Sequence, residues 1–430
     1  MLKIIKNYKF RIINTNDIYF SLINISFFLM LFLPTRFQFQ RGILILIIGL
    51  YTFVNYSNLK PKLARSVFLS SLICLINSSI SIIIGLFNNN PGLIPSITTG
   101  LIWPLFFIWI IACNKSIKAL DNLMKVFIFV FIFNSIFLTI LIVNILNPNL
   151  FNYVELIKEI FDFRVSFENG EIAFNIISMG TFIFANGYFF SRIYYFNSSS
   201  VISKKDKIIN IFLYLASIII LLISGRRGFV LAGIISALLT MIIFHLTKIK
   251  LLTKSIIFRL ISCFTLIIII SIFYLLLNGT DLYLFSLKVL EDFNIFDLEL
   301  LSYKRYDDII NLTNLFKTSP IFGSGFGFSI SPPTVITQQL YSYEVQYLQF
   351  LTAFGIFGFS IYASYLYWIF YKLINISKKN NSYSYRLLPL LSGLISMLIA
   401  NATNPYLIKF DFLWVIFIPI AYINVLSMKK

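Results

Sequence analysis

The sequence has few charged side chains and almost no His or Cys. Of its 430 residues only 12% are charged, one is His and three are Cys. Against this, 58% of the residues are hydrophobic and the mean hydropathy is +0.86. A water-soluble fold cannot bury so much apolar surface. The composition therefore excludes a soluble protein and predicts a polytopic membrane protein.

The apolar runs predict an all-α fold, because backbone polar groups in lipid must be hydrogen-bonded within the protein. A hydrocarbon layer of about 30 Å needs roughly 20 apolar residues per helix. We expect a single transmembrane domain over residues 1–430, with a large loop at 278–343 between the ninth and tenth spans. The sequence predicts about twelve spans, at 18–34, 42–56, 66–87, 93–113, 123–147, 171–196, 208–224, 228–247, 256–277, 345–371, 387–403 and 411–427.

The distribution of charge predicts the orientation in the membrane. The net charge is +18, but with a cytoplasmic N-terminus 24 of the 35 Lys and Arg and only three of the 17 acids lie on the cytoplasmic side. This positive-inside bias accounts for the basic excess, so it predicts no nucleic-acid partner. Both termini are expected in the cytoplasm, and the N-terminus reads as an uncleaved anchor because no small-residue cleavage site follows the first span.

The three cysteines all lie inside predicted spans, which indicates apolar packing and no disulfide framework. No His, Cys or carboxylate group has metal-ligand spacing, so we expect neither a metal nor a cofactor. The single His245 falls at the cytoplasmic end of the eighth span.

The loop between the seventh and eighth spans is only Ser-Gly-Arg-Arg-Gly at 224–228. It places Arg226 and Arg227 at the membrane interface, on the side that the positive-inside rule leaves poor in basic residues, where such side chains usually have a partner. A guanidinium binds phosphate through two charged hydrogen bonds. Phosphate binding and structural ion pairing both remain open for Arg226, and phosphate is favoured for Arg227.

The large loop carries a second set of polar side chains. Residues 303–316 predict a helix that brings Arg305 and Asp308 near one another. The Gly-x-Gly-x-Gly sequence at 323–327 is a weak phosphate signal, because no strand and helix flank it as in a nucleotide site, and a turn is the favoured interpretation.

Glu344 precedes the tenth span. Its carboxylate could act on a substrate or interact with the helix dipole. The neighbouring Tyr343, Gln346, Tyr347 and Gln349 offer hydroxyls and amides suited to sugars. The last outer loop, with Asn404, could close the same cavity.

Two further outer segments carry charge. Apolar side chains are interspersed among the charged ones over residues 147–170, which predicts a short helix on the membrane surface. Within this segment Arg164 is a candidate contact for the acceptor or a phosphate. Arg36 and Arg41 lie in the first outer loop, where interfacial snorkelling is favoured over ligand binding.

The order of these motifs resembles the bacterial O-antigen polymerases and ligases. The Ser-Gly-x-Arg-Gly turn, the Arg of the late loop, Gly-x-Gly-x-Gly and Tyr347-Leu-Gln-x-Leu-x-x-x-Gly-Ile-x-Gly carry the resemblance, which covers residues 224–358. Such ligases commonly place a His just before Tyr-Leu-x-x-Leu. This chain has Glu344 in that region and no outer His, which argues for a Wzy-type polymerase.

The resemblance implies an inner-membrane glycosyltransferase of the GT-C type that uses undecaprenyl diphosphate-linked oligosaccharide on the periplasmic face. Membrane lipid and a chain-length regulator protein are further expected partners. Arg227 and Arg305 match the family positions, and with Arg226 they would stabilise the departing diphosphate.

A carboxylate would then take the acceptor proton in a single inverting displacement. Glu344 is the first candidate for that base, with Asp308 and Asp307 in reserve, and Tyr343, Tyr347 and Asn404 would contact the glycan. The alternatives are an O-antigen ligase and a flippase for the lipid-linked unit; the absence of an internal repeat argues against a transporter.

Overall fold

The computed structural model describes residues 15–34, 36–146, 159, 164–168, 171–176, 178–196, 204–224, 226–246, 303–330 and 343–429. Within these residues the fold is helical apart from one β-hairpin. The helices and strands are α1 (Thr15–Phe32), α2 (Gln38–Val54), α3 (Tyr56–Leu59), α4 (Arg65–Phe87), α5 (Leu93–Ile97), α6 (Trp103–Cys113), α7 (Ile117–Leu146), β1 (Arg164–Glu168), β2 (Glu171–Asn175), α8 (Met179–Phe196), α9 (Lys204–Ile223), α10 (Arg227–Leu246), α11 (Tyr303–Thr318), α12 (Gln346–Lys379), α13 (Asn381–Ala400) and α14 (Trp414–Met428).

Helices long and apolar enough to cross a membrane confirm the prediction of a polytopic membrane protein. Seven such spans occur among the described residues, at Arg65–Phe87, Leu93–Cys113, Ile117–Val143, Lys205–Ile223, Gly228–His245, Gln346–Lys379 and Ser382–Ala400. Three shorter apolar helices also occur, at Asp17–Phe32, Phe39–Val54 and Trp414–Met428. The predicted span at 256–277 lies outside the described residues, so the number twelve stays a prediction.

Helix α13 is the centre of the packing, in contact with α8, α10, α12 and α14. Small residues let the backbones approach closely: a Cβ added to Gly187 on α8 would lie 2.4 Å from the Ser392 carbonyl oxygen of α13. The Ser396 hydroxyl donates to the Ile183 carbonyl at 2.8 Å, and the Thr240 and Ser392 hydroxyls are 2.5 Å apart. Close approach and interhelical hydrogen bonds replace the hydrophobic driving force that helices lack in lipid.

The predicted surface helix at 147–170 is wrong at its C-terminal end, where β1 and β2 form an antiparallel hairpin. The register pairs Glu168 with Glu171, so only two residues connect the strands, and in the sequence these are Asn and Gly. Asn-Gly between alternating apolar and polar residues is the strongest local hairpin signal. The span predicted to start at 171 correspondingly begins later, with α8 at Met179. Of Arg164 only the backbone is described, in β1.

The glycine-rich segment at 323–327, predicted as a turn, is part of a loop whose backbone is hydrogen-bonded to both sides of a break in α12. Gly355 has φ 66° and ψ −179°, which interrupts the helix. Across the break, the Ile356 and Phe357 amides donate to the Pro320 and Ile321 carbonyls at 2.8 and 3.1 Å. In return, Ser324 and Gly325 donate to the Thr352 and Ala353 carbonyls at 2.8 and 3.0 Å. The freed backbone groups of the broken helix are thus paired with the loop.

The same loop is also tied to α4 and to the start of α5. Phe326 donates its amide to the Ser81 carbonyl at 3.0 Å, and Gly92 donates to Gly327 at 2.8 Å. Gly323, Gly325 and Gly327 all have φ between 76° and 79°, a conformation that favours glycine. A Cβ at Gly325 would lie 2.2 Å from the Gly85 nitrogen, so the glycines allow backbones to touch.

Gly355→Ala is therefore expected to destabilise the protein strongly. The new Cβ would lie 2.2 Å from the Ile321 carbonyl oxygen at a positive φ, and we expect a loss of roughly 2 kcal/mol or more. The measurement is the thermal unfolding midpoint in detergent. Gly49→Ala is the matched control, because Gly49 has nothing within 4 Å of an added Cβ and Ala favours helix. Equal midpoints for the two variants would contradict the interlock.

Candidate functional site

The short turn before α10 contacts the loop that follows α13. Arg226 Nη1 donates to Asn404 Oδ1 at 3.0 Å, and the guanidinium carbon lies 5.5 Å from the ring centroid of Phe229. A Cβ on Gly228 would come within 2.8 Å of Thr403 Oγ1, so a larger residue would push the two segments apart. Arg226 has a neutral amide as its partner, and this contact does not cancel its charge.

The loop after α13 also contacts the start of α12. Asn401 Oδ1 accepts the Leu407 amide at 3.0 Å, which fixes the curve of the loop. The Asn401 side chain lies beside the Tyr347 hydroxyl, and that hydroxyl donates to the Leu398 carbonyl at 2.5 Å. The turn at 224–227, the loop at 401–413 and the N-terminal end of α12 therefore lie on one side of the protein, which we call the site face.

A buried ion pair holds this loop to the start of α2. Arg41 Nη1 contacts Asp411 Oδ1 in a pair whose side chains are 2% and 0% exposed. Arg41 Nη2 donates to the Arg36 carbonyl, and its guanidinium carbon lies 5.2 Å from the Phe410 ring. Arg41 thus neither snorkels nor is open to a ligand, and it pairs with a carboxylate that sequence analysis did not connect with it. Arg36 is exposed and donates to the Glu159 carbonyl at 3.2 Å.

The candidate carboxylates lie where α11 meets the start of α12. Further along these helices, the Thr352 hydroxyl lies 3.3 Å from the Leu312 carbonyl. One turn earlier on α11, Asp308 is 2% exposed. Burial raises the pKa of Tyr343, and the nearby Asp308 carboxylate raises it further. Asp308 and Tyr343 are thus neighbours just ahead of α12.

Glu344 lies one residue outside α12, because Val345 occupies the N-cap position. Its side chain is half-buried. The preceding Tyr343 is part of the fold: its hydroxyl oxygen accepts the Ile330 amide at 2.8 Å, and its ring stacks on Phe328 at 5.7 Å. Of the predicted glycan contacts, Tyr343 and Tyr347 therefore have hydroxyls bonded to backbone, and Asn404 is bonded to Arg226.

Arg227 and Arg305 are described only in their backbone. Arg227 begins α10, and Arg305 lies in the first turn of α11; their side chains are not among the described atoms. Asp307 is half-buried on the same helix as Asp308.

The glycine loop offers little to a phosphate. The amides of Gly323, Ser324, Gly325 and Phe326 all donate to backbone carbonyls at distances of 2.8 to 3.0 Å. A phosphate-binding loop needs such amides directed at the ligand. The favoured interpretation of the motif as a turn agrees with this arrangement.

A family model described as O-antigen ligase matches residues 212–363. This match places residues 212–363 in the O-antigen ligase and polymerase superfamily. The matched region contains α10, α11, the glycine loop and the start of α12, all of which contribute to the site face or to its support. Members of this superfamily are glycosyltransferase-like enzymes, and the family implies a lipid-linked oligosaccharide as substrate. No curated protein matches the chain.

Arg41→Ala is expected to lower the free energy of unfolding by roughly 3 to 5 kcal/mol, because it leaves the buried Asp411 carboxylate uncompensated. The double variant Arg41→Met with Asp411→Leu should recover most of this loss. The measurement is thermal or denaturant unfolding in detergent.

The matched comparison is Arg386→Ala. Arg386 pairs with Asp121 at 2.8 Å, but those side chains are 23% and 28% exposed, so solvent screening limits the expected cost to about 1 kcal/mol. If Arg41→Ala cost no more than Arg386→Ala, the pair would not be what secures the loop.

Proposed function

We propose that this member of the superfamily is the polymerase that joins undecaprenyl diphosphate-linked repeat units into O-antigen or capsule-like polysaccharide. The observation that supports the proposal is the contact of Arg226 with Asn404 at 3.0 Å. Through the loop at 401–406, this contact joins the arginine turn to the end of α12 that follows Glu344. The contact therefore supports a shared surface for a cationic group and a carboxylate, which transfer from a lipid diphosphate would use.

The proposed reaction is a single displacement with inversion. Glu344 takes the proton of an acceptor hydroxyl, the hydroxyl oxygen bonds to the anomeric carbon, and the bond from that carbon to the diphosphate oxygen breaks. The lipid diphosphate leaves with the electron pair, stabilised by Arg226, Arg227 and Arg305. Because the diphosphate is a good leaving group, neither a general acid nor a metal is needed. Asp308 and then Asp307 are the alternative bases.

The proposed setting is the bacterial inner membrane, with both termini in the cytoplasm and the site face towards the periplasm. His245 supports the choice of a carboxylate over a ligase-type His. It lies 18 residues after Arg227 on α10, which at 1.5 Å per residue is about 27 Å along the helix axis. A residue at that end of the helix cannot act at the site face. The glycan would contact Asn404 and the segment that includes Tyr343 and Tyr347.

Deletion of the protein followed by electrophoresis of the surface polysaccharide separates the candidate functions. Loss of a polymerase leaves single repeat units on the lipid A core. Loss of a ligase removes all core-attached glycan, including single units, and loss of a flippase leaves the lipid-linked unit on the cytoplasmic face. Unchanged chain lengths would contradict the proposal.

Arg227→Ala should reduce the surface glycan to single repeat units, because transition-state stabilisation by one charged donor is commonly worth about a hundredfold or more in rate. The measurement is electrophoresis of the glycan, with the amount of protein in the membrane checked in parallel. Arg36→Ala is the matched control, since Arg36 is an exposed arginine near the same face. Normal long chains in Arg227→Ala would remove Arg227 from the diphosphate site.

Glu344→Gln should abolish chain growth while the protein still folds, because the amide keeps the shape but cannot accept the proton. General-base catalysis contributes about 10² to 10⁴ in rate. The control is Glu159→Gln, which changes an exposed glutamate, and the readout is the distribution of chain lengths. If the Glu344→Gln variant made chains of wild-type length, Glu344 would not be the base and Asp308 would become the first candidate.

A further inference from the structure

Gln346 is completely buried at the first position of α12, with 0% exposure. Within the described part of the chain, neither its Oε1 nor its Nε2 has a hydrogen-bond partner. Buried side-chain amides are nearly always paired, since burial without a partner forfeits the hydrogen bonds made to water. A buried amide of this kind next to a candidate site retains both its donor and its acceptor for a bound group.

The position of Gln346 connects the site face with the interior of the membrane domain. Phe350, one turn further along the same helical face, lines an apolar cavity of about 80 Å³ together with Leu407 of the site-face loop. The next residue, Tyr347, contacts Leu398 and Asn401. Gln346 thus lies one helical turn from a residue that lines an apolar cavity, and next in sequence to the tyrosine that contacts the loop holding Asn404.

Gln346 also lies close to the proposed base. Only Val345 separates it from Glu344, and an extended chain advances at most about 3.6 Å per residue, so their Cα atoms are no more than about 7 Å apart. A group bound by Gln346 is therefore within reach of a hydroxyl that Glu344 could deprotonate.

The chemistry of the amide selects the class of ligand. An ionised phosphate pairs only with the Nε2 donor and a cation only with the Oε1 acceptor, so either would leave the other end of the buried amide without a partner. A neutral hydroxyl both donates and accepts, and two adjacent hydroxyls on a sugar ring can use both ends of the amide. The tyrosines beside it are less suited, because their hydroxyls are bonded to Ile330 and Leu398.

We propose that Gln346 is a binding residue for the saccharide, and that its amide bonds sugar hydroxyls next to the position at which the new glycosidic bond forms. This inference rests on the proposed function and adds a residue that sets the choice of sugar. An amide built to bond hydroxyls discriminates strongly against sugars that lack them.

The test is Gln346→Met in the full-length protein, purified in nanodiscs. The probe is the lipid-free repeat-unit oligosaccharide released from the polysaccharide of the producing cells, and its Kd is measured by calorimetry. We expect the Kd to rise about tenfold or more. Without sugar, the thermal midpoint should be unchanged or higher, because methionine fills the same space and removes an unpaired amide.

The variant is thus expected to bind the sugar more weakly without a loss of thermal stability. A residue with only a structural role would give the opposite result, a lower midpoint with an unchanged Kd. A lower midpoint with an unchanged Kd would overturn the inference in favour of an amide that serves the fold through a bound water or another part of the chain. An unchanged Kd at an unchanged midpoint, or a loss of binding that only follows a loss of folded protein, would also overturn it. If the methionine variant does not fold, Gln346→Asn keeps the amide, retracts it by one carbon and should weaken binding too.

Gln40→Met is the matched control, since Gln40 is an exposed glutamine in α2 and its variant should bind as the wild type does. Comparison with the lipid-linked oligosaccharide shows whether the sugar belongs to the acceptor or to the donor.

Deletion of the protein tests the proposed function independently of the role of Gln346. Unchanged chain lengths after deletion would contradict the polymerase. If deletion shortens the chains but Gln346→Met binds the oligosaccharide as tightly as the wild type does, only the role of Gln346 is contradicted. The same holds if deletion shortens the chains and the wild type does not bind the oligosaccharide.

Discussion

Backbone hydrogen bonding in an apolar environment is the constraint on which this structure depends. A helix broken inside a membrane leaves amides and carbonyls that lipid cannot satisfy, and each would cost several kcal/mol. In α12 the break at Gly355 is tolerated because the loop at 319–328 supplies the missing partners. The same loop then bonds to Ser81 and Gly92, which joins the region around α4 to the later helices. Glycines are required at these points because their backbones touch.

The site face also depends on the loop at 401–413, which side-chain contacts hold at both ends. Asp411 fixes one end by its buried pair with Arg41, and Asn404 fixes the other by its bond to Arg226. Between them, Phe410 stacks on Trp103 at 4.4 Å. The loop is thus a rigid border between the arginine turn and the start of α12. Rigid borders suit a reaction that depends on the placement of charge, because preorganised groups need no rearrangement in the transition state.

The membrane class, most of the helices and the family followed from hydropathy and motif order, because these signals are local or composition-wide. The hairpin at 164–175 had a local signal, Asn-Gly flanked by alternating polar and apolar residues, which the prediction of one surface helix over 147–170 did not use. The pairing of Arg41 with Asp411 joins residues 370 positions apart, and a single sequence carries no information about such a distance. The break at Gly355 was equally hidden, since a glycine within an apolar run is also compatible with an unbroken span. Of the candidate site, Arg226, Asn404, Asp308 and Glu344 were named from residue type and predicted topology, whereas the state of Gln346 required its burial and its unpaired amide to be seen.

The break in α12 has a mechanical consequence. Its first part, from Gln346 to Phe354, is bonded to α11 through the Thr352 hydroxyl and to the loop through the Thr352 and Ala353 carbonyls. Beyond the break, the Ile356 and Phe357 amides donate to the Pro320 and Ile321 carbonyls of the same loop. The remainder of α12 continues as an ordinary membrane helix after Gly355. The loop after α11 therefore bridges the two parts of α12 across the break, and the Thr352 hydroxyl also bonds the part that carries Gln346 to α11 itself. A displacement of α11 would thus reach both parts of α12 through hydrogen bonds that are not its own helical ones.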